Sequence, residues 1–300
     1  MALEHLEVAD AAGGHVKHAD ETNAATAGED IYNESTAGDI GPTATFRCVS
    51  VADEMNPTCR HSMEDEHETI AHFDGDPSMS YFAVYDGHGG RAAVDFVSMH
   101  LADAIAEELR AEDGSSIEER MKRAYAATDV GCKEESVVSS GATAITCLLK
   151  KAQDGTVLLY TANVGDSRVV LSRDGKAERL SFDHKAEDAL EQERIIASGG
   201  FILRNRVLGI LAVSRSFGDQ GMKEFVISVP YVSSTRLCPK CSFLILACDG
   251  VWDVLSDDEA VSIVTEALAD MGEAGVARAL LKEALVRGST DNITVVVVFF

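Results

Sequence analysis

The chain has 300 residues with 50 acidic and 26 basic side chains, a formal net charge of -24. That deficit of cations excludes nucleic acid and anionic membrane surfaces as main partners, because phosphate recognition needs clustered Lys and Arg. Hydrophobic residues make up 46% of the sequence, enough for a packed core, so the charge does not mark a disordered acidic chain.

Residues 1–44 hold nine acidic groups and one basic group, Lys17, with few large apolar side chains. They read as a flexible acidic arm with one short helical piece between Leu3 and Ala12, unable to offset its ordering entropy by burial. The opening MALEHLEVAD has neither a basic n-region nor an apolar h-region, and no run approaches the roughly 18 apolar residues of a membrane span. A monomer of the cytoplasm or nucleus, not secreted and not membrane-spanning, is expected. The seven cysteines are odd in number and mostly embedded in apolar runs, as expected of reduced core thiols. Residues 45–300 contain no linker and no internal repeat, and read as one catalytic domain.

Along that domain, β-rich runs bounded by Gly, Asp or Asn predict strands at 46–51 and 81–85, followed by helical periodicity over 92–110 and 117–133. Strands follow at 142–149, 157–161 and 168–171, then a helix over 189–197. Further strands at 226–229 and 243–248 precede helices over 257–268 and 274–286, and a last strand covers 293–299. Ser116 with Glu119 and Ser256 with Glu259 spell capping boxes, and Gly288 spells a helix stop. Strands in groups and helices in consecutive pairs point to an α+β fold of antiparallel sheets covered by helix pairs.

Four carboxylates stand at strand ends. Asp86 closes SYFAVYD ahead of GHGG, Asp249 closes FLILAC ahead of Gly250, Asp166 lies in NVGDSR, and Asp291 precedes ITVVVVFF. Singly, each reads as a turn or cap residue. Together they predict several carboxylates converging on one rim, which is costly without cations among them. Oxygen ligands without a His/Cys set of suitable spacing favour Mg²⁺ or Mn²⁺ over Zn²⁺. Cys238 and Cys241 form CPKC, on paper half a zinc site or a redox pair; with no second CxxC they read as ordinary loop thiols. Asp257 and Asp258 sit in the first turn of a capped helix and are not counted as ligands.

RHSMED at 60–65, FAVYDGHGG at 82–90, SGATA at 140–144, NVGDSR at 163–168, DHK at 183–185, LAVSRSFGD at 211–219, ACDGVWDVL at 247–255 and STDNITVVVV at 289–298 complete the pattern. In content and order these motifs resemble the metal-dependent protein phosphatases of type 2C, the PPM family, over residues 45–300. The resemblance implies a central β-sandwich of two antiparallel sheets flanked by pairs of α-helices, with a binuclear metal cleft at one end. It implies a protein serine/threonine phosphatase acting on phosphoprotein substrates with two Mg²⁺ or Mn²⁺ ions and a weaker third. Asp86 would bridge the two ions, Asp249 and Asp291 would complete one site, and Glu64 with the Gly87 carbonyl the other. Asp166, Asp249 and Asp253 match the third site. A metal-bridging water or hydroxide would attack phosphorus, Arg60 would bind the phosphate, and His88 would be the general acid. Where the family usually continues DHK with Pro, this chain has Ala186, which is expected to loosen the approach to the helix bearing Glu191 and Arg194. Residues 195–226 correspond to a variable flap beside the cleft, where substrate choice would reside. The alternative is a pseudophosphatase serving as a binding or regulatory module; the intact Glu64, Asp86, Asp249 and Asp291 weigh against it.

Overall fold

The computed structural model describes residues 33–36, 45–134, 137 and 139–300. The predicted helical piece between Leu3 and Ala12, and most of the acidic arm, lie outside the described residues. The chain runs β1 (Asn33–Thr36), β2 (Cys48–Glu54), β3 (Asp65–Ile70), β4 (Met79–His88), α1 (Ala92–Arg110) and α2 (Ile117–Glu134). Next come β5 (Gly141–Lys151), β6 (Val157–Val164), β7 (Arg168–Arg173), β8 (Lys176–Arg179) and α3 (Ala189–Ala197). Three two-residue strands follow, β9 (Ile202–Leu203), β10 (Arg206–Val207) and β11 (Phe217–Gly218). The chain closes with β12 (Tyr231–Arg236), β13 (Cys241–Ala247), the one-turn α4 (Asp249–Trp252), α5 (Asp257–Met271), α6 (Val276–Val286) and β14 (Ile293–Phe299).

Two antiparallel sheets form the centre. One has the order β1-β2-β14-β13-β7-β8 and the other β12-β6-β5-β4-β3. Their inner strands are apolar on both faces, so alternation divides each of these between two cores. In β4, Tyr81, Ala83 and Tyr85 pack with α1 and α2, whereas Phe82 and Val84 face the opposite sheet. In β13 and β14, Ile245, Val295 and Val297 pack with α5 and α6, whereas Leu244, Leu246, Val296 and Val298 face inward. The result is the four-layered sandwich expected from the motifs. Helix α1 buries Ala93, Val94, Val97, Leu101 and Ile105 along one stripe, and α5 starts at a complete capping box between Ser256 and Glu259. No helix among the described residues is long and apolar enough to cross a membrane.

Three sequence expectations change. The run 226–229 is not a strand; it makes one isolated bridge, Ile227 to Arg215, and Val226 packs in a small separate cluster with Ala186, Ile195 and Val207. Its apolar character serves that local core instead of a sheet. Strands β3 and β12, DEHETI and YVSSTR, escape the sequence pattern because they are the two edges of their sheet and stay half-exposed. Residues 33–36, within the stretch read as the arm, pair with β2 as an edge strand.

Candidate active site

The predicted acids gather where strands from both sheets end. Asp86, Gly87 and His88 close β4, with Asp86 opposite Asp65 on one side and Thr143 on the other. Asp249 follows β13, Asp291 precedes β14, and Asp166 sits in the turn that carries the chain from β6 in one sheet to β7 in the other. Carboxylate oxygens of Asp86, Asp166 and Asp249 all lie within 4.8 Å of one another. Two glycines permit the crowding. A Cβ on Gly87 would lie 2.5 Å from the Glu64 carbonyl oxygen, and one on Gly250 would collide with the Asn292 carbonyl.

Asn292 ties the Glu64 loop to the head of β14. Its Oδ1 accepts from the Glu64 amide at 2.9 Å, and its Nδ2 donates to the carbonyls of Met55 at 2.8 Å and Ser62 at 3.1 Å. Glu64 accepts from Ser62 Oγ at 2.9 Å and from the Gly90 amide at 3.2 Å. Arg60 grips Asp291 through Nη2 and donates from Nε to the Thr290 carbonyl at 3.2 Å. The guanidinium is thus anchored at the cluster while its side chain stays 46% exposed. His88 Nε2 lies 2.8 Å from Asp219 Oδ2, and Ser216 Oγ donates to the same oxygen at 2.5 Å.

The cluster is short of positive charge. Burial pushes the Asp86 and Asp249 carboxyls well above the usual carboxylate range, and their neighbouring aspartates push them further. Burial also raises Asp166, against the pull of Lys185. Asp65 is pushed up to about 7, again mainly by burial, although Thr294 Oγ1 donates to it at 2.7 Å. Asp166 is 4% exposed, and its Oδ1 has no hydrogen-bond partner. A buried carboxylate with an unpartnered oxygen, grouped with two further carboxylates, fits a hard divalent cation held by oxygen ligands.

The structure therefore brings together Asp86, Asp166 and Asp249, one member each from the expected bridging, third-ion and principal-site roles. Glu64 and Asp291 line the same region through the contacts above. Asp253 is drawn to Lys185, whose Nζ lies 2.7 Å from Asp253 and 3.5 Å from Asp166. Lys185, Asp219, Asp65 and Asn292 lie inside the motifs, but nothing in the motifs themselves marks a role for them. Their partners are distant in sequence, 131 residues for His88 and Asp219, so spacing carried no signal. His184, the middle residue of the DHK motif, is buried with its ring held neutral, its pKa lowered to about 3 by burial and Arg215.

Ala186 does not loosen its surroundings. It is fully buried, and its amide donates to the Ala212 carbonyl at 2.7 Å, tying DHK to the flap. A proline there has no N–H to make that bond. Asp257, set aside as a helix-cap acid, pairs with Arg168 and Arg179, while Arg168 also holds Asp183 and stacks 4.9 Å from the Trp252 ring.

Comparison with known proteins agrees with this geometry. Residues 49–293 match the profile of the protein phosphatase 2C family. Protein phosphatase 2C homolog 1 of Saccharomyces cerevisiae is 39% identical over 267 residues, covering 85% of this chain and 94% of that protein. The homolog 1 of Schizosaccharomyces pombe is 40% identical over 251 residues, covering 82% and 71%. The crystal structure of a serine-threonine phosphatase 2C from Toxoplasma gondii superposes with a TM-score of 0.75 at 23% identity, covering 91% of this chain and all of that one, a likeness of fold.

Proposed function

This chain belongs to the protein phosphatase 2C family, and on that footing we propose that it hydrolyses phosphoserine and phosphothreonine in proteins using Mg²⁺ or Mn²⁺ at the aspartate cluster. The observation that carries the metal assignment is the meeting of Asp86, Asp166 and Asp249 within 4.8 Å. Asp86, Asp249, Asp291, Glu64 and the Gly87 carbonyl would hold two ions, and Asp166, Asp249 and Asp253 a weaker third. When bound, the ions supply Lewis acidity and a nucleophilic water at neutral pH for direct displacement at phosphorus.

The chain's own residues do the rest. Arg60, anchored at Asp291 yet half-exposed, presents a planar fork suited to two phosphate oxygens. His88 protonates the departing serine or threonine oxygen, a poor leaving group as an alkoxide. Asp219 fixes the ring by accepting from Nε2, and its own backbone lies in the left-handed region, with φ 47°, between β11 and the single 3-10 turn Gln220–Met222. Lys185 partly offsets the charge of Asp166 and Asp253.

The test is phosphate release from a phosphothreonine peptide by the purified chain, with Mn²⁺ and with a chelator. Metal-dependent release is expected. Calorimetric Mn²⁺ binding without release at any Mn²⁺ concentration would instead identify a pseudophosphatase module.

A further inference from the structure

The connection from β12 to β13 is where the chain leaves one sheet for the other, and it carries CPKC at 238–241. Pro239 presets the second position of a tight turn, closed by the Cys241 amide donating to the Cys238 carbonyl at 2.8 Å. The two free thiols are thereby held with their sulfurs 3.7 Å apart. Arg173, at the end of β7, donates from Nη1 to Cys238 Sγ at 3.4 Å. The two cysteines are not equivalent: Cys238 is half-buried and reachable, Cys241 is buried behind it. The Lys240 amide, the Cys241 thiol and Arg173 lower the Cys238 pKa, whereas burial raises that of Cys241. A guanidinium against the sulfur disfavours a metal cation there. Among the described residues, the group of three or more ligating side chains with metal-binding geometry is the aspartate cluster, and no third His, Cys, Asp or Glu joins this pair in such a group.

We propose that Cys238 and Cys241 form a redox-active dithiol, in which Cys238 attacks a peroxide and Cys241 closes an intramolecular disulfide. The Cys238 thiolate forms a bond to one peroxide oxygen, the O–O bond breaks, and the departing hydroxide takes a proton to become water. The Cys241 sulfur then attacks the resulting sulfenic sulfur, the S–O bond breaks, and a second water leaves. The two thiols give up two electrons and two hydrogens, and the peroxide is reduced. The bond forms at the crossover between sheets, whereas the aspartate cluster lies beyond the other end of β13.

The experiment treats the full chain with hydrogen peroxide, then alkylates it and measures intact mass and peptide mass. The expected result is loss of two hydrogens, a linked 238–241 peptide and reversal by dithiothreitol. In the reduced protein Cys238 should alkylate at least about tenfold faster than the exposed Cys59. Cys241→Ser should trap Cys238 as a sulfenic acid that dimedone labels, and the wild type should give little such label. Cys238 reacting no faster than Cys59 with no linked peptide would overturn the proposal, as would stoichiometric protection of both thiols by added Zn²⁺.

Discussion

Asp166 and Glu191 are both buried carboxylates, 4% and 2% exposed, and the protein treats them in opposite ways. Glu191, in the first turn of α3, accepts from Ser214 Oγ at 2.7 Å, Arg215 Nη2 at 2.5 Å and Arg194 Nη2 at 2.9 Å. Burial alone would raise its pKa, but these donors bring it down to about 2. Asp166 has one oxygen without a partner and a lysine only at 3.5 Å, and its pKa is raised together with those of Asp86 and Asp249. The chain evidently can neutralise a buried carboxylate with its own cations. Where it leaves three of them under-neutralised side by side, the missing charge is to come from outside.

Removing one acid from each set should separate these situations most sharply. Asp249→Asn is expected to reduce Mn²⁺-dependent phosphate release to below about a hundredth of wild type, with the Mn²⁺ binding heat lost. The metal-free variant should nonetheless melt no lower than wild type, because a repelled charge has been taken out of the cluster. A lower melting temperature in chelator would contradict the electrostatic account. His88→Ala should slow a phosphothreonine peptide by on the order of 10²-fold and p-nitrophenyl phosphate far less, since nitrophenolate leaves without help. Equal slowing of both substrates would remove His88 from the acid role.

Glu191→Gln tests the self-neutralised set. It removes the carboxylate charge facing Arg194 and Arg215, which keep only backbone carbonyl partners, and a loss of about 2–4 kcal/mol in denaturant unfolding is expected, discounted for the partial exposure of both arginines. An unchanged midpoint would mean that the network is not structural. The smallest effect is a pH dependence. Burial pushes the Asp65 carboxyl up to about 7 from an ordinary 3.8, and Asp86, Asp166 and Asp249 are raised as well. Over that window the metal-free fold keeps protons that the unfolded chain has released, so the cluster's contribution to stability falls as pH rises. Glu191 runs the other way, its contribution complete above 4.5 and lost as pH falls toward 2. Metal displaces the retained protons, so the melting-temperature gain from Mn²⁺ should be greater at about pH 7 than at about pH 5. Scanning calorimetry in chelator and in Mn²⁺ checks this; equal gains would disprove it.

Much of this was legible in the chain itself, and the reason differs by element. β4, β13 and β14 declare themselves because they are buried on both faces and carry an aspartate at one end. β3 and β12 do not, because an edge strand needs little apolar surface. Asp86, Asp249 and Asp166 are marked by their place after strands and beside glycines. Asp219 and Lys185 are not, since their partners come together only when the flap and the cleft are folded. The effect of Ala186 was misjudged from sequence: a lost proline suggests slack, but the gained amide hydrogen bond to Ala212 is invisible until the flap is placed.

Asp86 hangs from one sheet while Asp249 and Asp291 hang from the other, so the cleft is a seam between two leaves and not a pit within one. Its width is the spacing of packed sheets, about 10 Å backbone to backbone, set by the side chains between them. Val84, Leu246 and Val296 thus act as a gauge block: they sit in the core between the sheets, and their volume fixes how far apart the two rows of carboxylates stand. In this architecture, the tolerance of the chemistry is machined into the hydrocarbon that separates the leaves.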